Sequence, residues 1–251
     1  MSYCLGIKTS DGIVLASDSR TSAGADQVNT CQKMHSFVIP GERVLVAVTT
    51  GNLSLSQSVF TLLRQDFDQG RGLASAPTFY DAVREVGEKV RRVAELDREA
   101  LEKAKLRFNV HFILGGQIKG SEPELYLIYP LGNPIRSTPD SPFLQIGESK
   151  YGKPILDRGI SYDTTPIDQA AKYALLSLDS TMRSNATVGP PVDLMLYRND
   201  TLEITHRRRF QGHDSDWMEL HMRWEQALRK TVHDLPDIHY SAPNARSERL
   251  D

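Results

Sequence analysis

The sequence predicts an α+β protein built as a four-layer αββα sandwich, on three observations. Short strands precede, separate and follow helices rather than alternating with them one by one. Many of the strand runs, such as RVLVAVT at 43–49 and VDLMLY at 192–197, are apolar at nearly every position. Such strands are covered on both faces. The helical segments carry one apolar stripe and a charged remainder, as a helix does when it covers the outside of a sheet. Two sheets packed face to face, each capped by helices, satisfy all three.

The elements follow in order. YCLGIKT (3–9) and IVLAS (13–17) flank SDG and predict a hairpin, with Gly12 supplying the turn conformation. A polar stretch fills 20–32. KMHSFVI (33–39) and RVLVAVT (43–49) flank PGE and predict a second hairpin. Asn52 caps a helix whose stripe is Leu55, Val59, Leu62 and Leu63. A second helix is expected over Tyr80–Lys105, with Val83, Val86, Val90 and Val93 inward. Strands at 107–118, 124–132 and 143–148 follow. Thr165-Pro166 opens a helix, Pro166 at its first turn. Its stripe is Ile167, Ala170, Ala171, Ala174, Leu175 and Leu178. Residues 192–197 and 202–208 predict a hairpin across RND, and Trp217, Leu220, Trp224 and Leu228 mark a last amphipathic helix. No repeat or Pro/Gly/Ser linker divides the chain, so residues 1–239 are expected to form one domain. Residues 240–251 read as a disordered polar tail.

Composition narrows the function. The chain has 251 residues, 39% hydrophobic and 25% charged, with a formal net charge of -2. That balance gives no general attraction to nucleic acid or to an anionic membrane. No apolar run nears the roughly 20 residues of a membrane span, and no signal peptide is evident. The two cysteines, Cys4 and Cys31, make no disulfide framework, and a cytoplasmic location is expected. Cys4 lies in a strand and reads as a small buried hydrophobe. His111 lies in a strand too, where a satisfied core histidine is the ordinary case. GGQIKG (115–120) does not open a helix, so it is no phosphate cradle. RRR at 207–209 reads as a solvated edge or subunit contact.

The N-terminus carries the chemistry. Met1 precedes a small residue, Ser2, a context in which the initiator methionine is commonly trimmed. Trimming leaves a hydroxyl and a free α-amine on one residue, a nucleophile with its own base. The amine's ordinary pKa, roughly 7.7–8.0, suits a base near neutral pH. A nearby cation lowers it further. Asp18 and Lys33 are candidates for an adjacent charge pair; a loop-capping Asp and a solvated Lys are the plainer alternative. Strand alternation supplies a register condition. A two-residue Asp11-Gly12 loop sets Asp18 opposite Leu5, away from Ser2. A three-residue Ser10-Asp11-Gly12 loop sets it opposite Cys4, on the face of Ser2.

Ser2-Tyr-Cys-Leu-Gly-Ile-Lys, Asp11-Gly12, Leu15-Ala16-Ser17-Asp18-Ser19-Arg20 and Lys33 together resemble the N-terminal signature of proteasome β-type N-terminal-nucleophile hydrolases. The bacterial Anbu branch is the nearest match. The resemblance covers roughly residues 2–200 and implies the αββα fold. It implies that Ser2 is the nucleophile of a peptidase, Asp18 the family acid and Lys33 the lysine beside the amine. Gly51, opening the first helix after Thr49-Thr50, would offer a backbone N–H to the oxyanion. Ser replaces the usual Thr, and the loop between Asp18 and Lys33 is one residue shorter than the common spacing. The supporting residues map to Asn185, at an acidic position, with Val188 at a serine position. Ser149 is a further partner for the terminal amine. The resemblance also implies a peptide or protein substrate and self-assembly into a ring or ring-like homo-oligomer. An ATPase or gating partner is implied for large substrates. The chemistry requires no metal or organic cofactor. Competing readings are an amidase or isopeptidase of the same fold and a catalytically weak scaffold.

Overall fold

In the computed structural model, residues 2–22 and 28–240 are described. Two five-stranded antiparallel sheets stack face to face. The first sheet contains β1 (Tyr3–Thr9), β2 (Gly12–Asp18), β10 (Phe143–Gly147), β11 (Val192–Arg198) and β12 (His206–Phe210), in the order β10-β1-β2-β11-β12. The second contains β5 (Met34–Ile39), β6 (Arg43–Gly51), β7 (Val110–Ile118), β8 (Glu124–Ile128) and β9 (Pro134–Arg136), in sequence order. A small ribbon pairs β3 (Arg20–Ser22) with β4 (Val28–Thr30).

Alternation along each strand builds three cores from two sheets. On β1, Cys4 faces the other sheet, while Tyr3, Leu5 and Ile7 face the helices. On β6, Val44, Val46 and Val48 face between the sheets, and Leu45 and Ala47 face outward. The outward face of the second sheet is covered by α1 (Leu53–Asp68) and α2 (Phe79–Leu96). The outward face of the first is covered by α4 (Ser149–Gly159), α5 (Ile167–Ser184) and the start of α6 (Ser215–His233). The four layers are those expected, and burial on both faces accounts for the uniformly apolar strand runs.

The helix ends follow local chemistry. Asn52 caps α1, accepting from the N–H groups of Ser54 and Leu55. Thr78 and Asp81 form a reciprocal capping box at the start of α2. The long second helix expected to reach Lys105 instead stops at Leu96, and a short α3 (Arg98–Lys103) follows Asp97. Pro166 is the N-cap of α5 rather than its first helical residue. Thr165 turns its hydroxyl to the loop before it, accepting from Ser161 N–H at 2.9 Å.

Two elements depart further from the sequence reading. Helix α4 contains Gly152 and Pro154, which read as breakers. Packing decides there: a Cβ on Gly152 would lie 2.2 Å from Ser177 Oγ on α5, so only glycine lets the two helices meet. The connection between β11 and β12 is longer than RND. Asp200 and Leu202 take positive φ within it, and Gln117 of β7 binds it by accepting from Asp200 N–H at 2.9 Å. Of the RRR triplet, Arg208 pairs with Asp214 and Asp216, and Arg209 with Asp193. Those ion pairs account for two of its charges without an anionic partner. The polar tail from 241 onward lies outside the described residues. No described helix is long and apolar enough to cross a membrane.

Gly116 tests the close approach at the centre of the second sheet. Its φ is +147°, and a Cβ there would lie 1.9 Å from Val44 O. Gly116→Ala is expected to lose about 1–3 kcal/mol. For a chain of this size that means a drop of several degrees in melting temperature by calorimetry. An unchanged melting temperature would contradict the register.

Candidate active site

The site is assembled where the first sheet ends and the gap between the sheets opens. β1 is paired on both sides, by β2 and by β10. Its register with β10 opposes Tyr3 and Gly147, and Glu148 N–H donates to Ser2 O at 2.9 Å. Gly147 is required there. Its φ is +85°, and a Cβ would lie 1.9 Å from Ser2 O. Residue 2 is thus fixed by backbone pairing before any side chain acts.

The β1–β2 register differs from both expected loops. Thr9 pairs with Gly12, so the two-residue turn is Ser10-Asp11 and Gly12 belongs to the strand. Ser17 stands opposite Cys4, which sets Asp18 level with Tyr3, on the face away from Ser2. The expected same-face condition is not met, yet the carboxylate still reaches the site. Asp18 is the last residue of β2, and its side chain sits at the strand's end. Oδ1 accepts from Tyr3 N–H at 3.1 Å and from Lys33 Nζ at 2.6 Å. Oδ2 accepts from Gly189 N–H at 3.2 Å. Strand-end placement, not facing alternation, brings it in.

Asp18 is 0% exposed and Lys33 4%. Burial pushes the Asp18 carboxyl above its ordinary value, while Lys33 and the two backbone donors oppose the shift. Lys33 Nζ also donates to Arg20 O at 2.6 Å. An ammonium has three donors, so one remains for the cavity that Lys33 lines. The loop reading of Asp18 and Lys33 as separate solvated groups therefore fails: they form one buried pair.

Ser2, Lys33, Thr49 and Gly51 share the wall of a cavity of about 670 Å³. Gly51 ends β6 rather than opening α1; the cap is Asn52. Thr49 N–H donates to Lys33 O at 3.1 Å, just before β5 begins. By strand alternation the Gly51 N–H points to that same side, beyond the end of β5 and over the cavity. Its φ of +116° and a virtual Cβ 2.2 Å from Asn109 O make glycine obligatory.

The remaining expected residues lie farther out. Ser149 begins α4, and the cavity wall beside it is made by Gly147 and Glu148. Asn185 ends α5 and turns its amide oxygen to its own loop, accepting from Thr187 N–H at 3.0 Å and Thr187 Oγ1 at 2.6 Å. Its segment contributes a backbone donor instead, the Gly189 N–H on Asp18. Val188 is buried in the helix-side core.

Several wall residues escaped the sequence reading. His111 is not a core histidine: it is half-buried, lines the cavity and meets Tyr129 edge-on at 6.2 Å. His35 stacks on Phe60 at 3.8 Å on the opposite wall. Burial pulls both imidazoles below their ordinary value. Glu148, too, was passed over. Alternation on β7 could have found His111, since Ile113 two residues on faces between the sheets. Cys4 does behave as a buried hydrophobe, its Sγ donating to Thr49 O at 3.3 Å. Among the described residues, no group of three or more His, Cys, Asp or Glu converges as metal ligands would.

Comparison with known proteins agrees with this fold. The proteasome subunit family model matches residues 2–195. A proteasome subunit beta of Haloquadratum walsbyi is 26% identical, covering 82% of this chain and 77% of its own length. Anbu, the ancestral beta-subunit, from Yersinia bercovieri is 42% identical with a TM-score of 0.89, covering 96% of this chain and 100% of that one. A helical assembly of the Anbu complex from Pseudomonas aeruginosa is 45% identical with a TM-score of 0.89, covering 98% and 100%. With its two-sheet sandwich, its first strand pinned at residue 2 and these likenesses over nearly its whole length, the chain belongs to the proteasome subunit family, in the Anbu branch.

Proposed function

We propose that the protein is a proteasome-type peptidase in which Ser2, freed at its amine by removal of Met1, is the nucleophile. The observation that carries this reading is the convergence on one cavity of Ser2, Gly51 and Lys33, the last held by the buried Asp18 behind it. Its volume, about 670 Å³, lies within the usual range for ligand sites, about 300–1,000 Å³.

The chemistry follows from the arrangement. The Lys33 ammonium beside residue 2 lowers the pKa of the terminal amine and keeps it unprotonated near neutral pH. The amine takes the Ser2 Oγ proton as Oγ bonds to the substrate carbonyl carbon. The carbonyl electron pair moves onto oxygen, which the Gly51 N–H stabilises. The ammonium then returns its proton to the leaving nitrogen as the C–N bond breaks. Water hydrolyses the resulting Ser2 ester by the reverse sequence. Asp18 orients Lys33 and holds the Tyr3 N–H, so it acts on the terminus from both sides. Assembly with further copies of the chain belongs to the same reading, supported by the helical assembly of the Pseudomonas aeruginosa relative.

Intact mass of the active pool should show loss of Met1; an active pool that keeps it would defeat the mechanism. Ser2→Ala is expected to reduce peptide hydrolysis at least about a thousandfold with an unchanged melting temperature. Undiminished turnover would sink the assignment.

The buried pair gives an independent measurement. Lys33→Met strands the Asp18 carboxylate and should cost about 3–5 kcal/mol at pH 7. The folded state of that variant favours the protonated Asp18, so its folded pKa exceeds the unfolded one. The penalty should shrink as pH falls toward the ordinary carboxylate range. Denaturant unfolding of wild type and variant at pH 5 and pH 7 reads both effects. A deficit that does not narrow at pH 5 would refute the pairing.

A further inference from the structure

One carboxylate shares the cavity with Ser2 and has no role in the chemistry above. Glu148 directly follows β10, whose register opposes Tyr3 and Gly147. The next step of that register sets Glu148 against Ser2, and the Glu148 N–H donates to Ser2 O at 2.9 Å. Opposed residues of an antiparallel pair send their side chains to the same face. Both residues line the cavity, in agreement with that placement. Asp18, level with Tyr3, stands on the other face. Glu148 is thus a carboxylate whose backbone is bonded to residue 2 and that shares the cavity with the Ser2 side chain.

Its charge is poorly matched by the protein. The Glu148 side chain is 11% exposed, and the nearest cation among the described residues, Lys150 Nζ, lies 3.9 Å away on a side chain that is 70% exposed. Lys33 gives one donor to Asp18 and one to Arg20 O, and its third faces the cavity without reaching the Glu148 carboxylate. A covered carboxylate with so loose a partner is costly unless a positive charge arrives beside it. On the reading of Ser2 as an N-terminal nucleophile, such a charge appears twice per turnover, when the α-amine takes the Oγ proton and again when it takes a proton from the hydrolytic water.

We propose that Glu148 is the counter-charge for the protonated terminal amine of residue 2. Glu148 neither gains nor loses a proton. It stabilises the ammonium while the Oγ–carbon bond forms, and the same proton then passes to the leaving nitrogen. Lys33 favours the neutral amine and Glu148 the charged one, so together they keep the two forms close in energy, as an acid–base relay needs. Among the described residues, the other titratable groups around the amine are Asp18 behind Lys33, His35, His111 and Tyr129 on the cavity walls, and Lys150 outside. None of them shares the Ser2 pairing position.

The test uses the full, trimmed protein and its Glu148→Gln and Glu148→Asp variants. A β-lactone probe reports acylation of Ser2 by mass across pH 5.5–9. A neutral peptide and a lysine-containing peptide report kcat and KM. Glu148→Gln should lower kcat at least about tenfold for both peptides with KM unchanged. Its acidic limb should shift down by about one pH unit, because loss of a nearby anion weakens the amine as a base. Glu148→Asp, which keeps the charge, should restore the wild-type limb. An unchanged limb and kcat in Glu148→Gln overturns the proposal. So does an effect confined to KM of the lysine peptide, which would assign Glu148 to reading a substrate cation. Wild type that the probe leaves unlabelled at Ser2 overturns the nucleophile reading itself, and this inference with it.

Discussion

Everything at the site depends on how β1 begins. A strand's first residue ordinarily frays, because it has pairing on one side at most. Here β1 lies inside its sheet, between β2 and β10, and the β10 side extends the pairing back to Ser2 through the Glu148 N–H. The Tyr3 N–H is taken by Asp18. Residue 2 is thus held by hydrogen bonds from two directions while its side chain faces open space. A reactive group at a chain terminus needs that fixation, since a misplacement of about 1 Å costs orders of magnitude in rate.

The buried Asp18–Lys33 pair is the second element of the same constraint. Two ions out of water are expensive, and their attraction compensates only when the remaining valences are filled. Here they are filled by main chain: Tyr3 and Gly189 donate to Asp18, and Arg20 accepts from Lys33. Those partners come from β1, from the segment before β11 and from β3. The pair therefore ties the separate chain segments that surround residue 2, and disturbing it loosens the terminus as well as the charge balance. Tyr3 adds a further tie. Its hydroxyl bonds Ser177 of α5 at 2.7 Å and accepts from Gln145 of β10, a residue of the cavity wall.

Glycine is concentrated where these segments touch. At Gly51 and Gly147 a β-carbon would strike the backbone of the adjoining strand, and both glycines border the cavity. The cavity mouth is thus shaped by main chain, with Glu148 and the two imidazoles set around it. The outer helices hold this arrangement from behind, and Phe60 of α1 belongs both to the outer core of the second sheet and to the cavity wall.

The sequence by itself determined the layers, because strand runs buried on both faces and singly striped helices admit few packings. Its N-terminal signature singled out Ser2, Asp18 and Lys33 by resemblance, and the structure pairs Asp18 with Lys33 beside the cavity that Ser2 lines. The sequence did not reveal α4, because Gly152 and Pro154 are both poor helix residues and only the contact with α5 shows why a glycine stands at 152. Nor did it fix where the first hairpin turns. The turn is Ser10-Asp11, closing one residue before either expected loop, and Asp18 reaches Lys33 around a strand end. Only tertiary structure could decide that, because strand alternation governs side chains within a sheet and lapses at its edge. Glu148 was hidden for a related reason. Its neighbour across the sheet is 146 positions away, and nothing in its local sequence sets the register that brings it to Ser2.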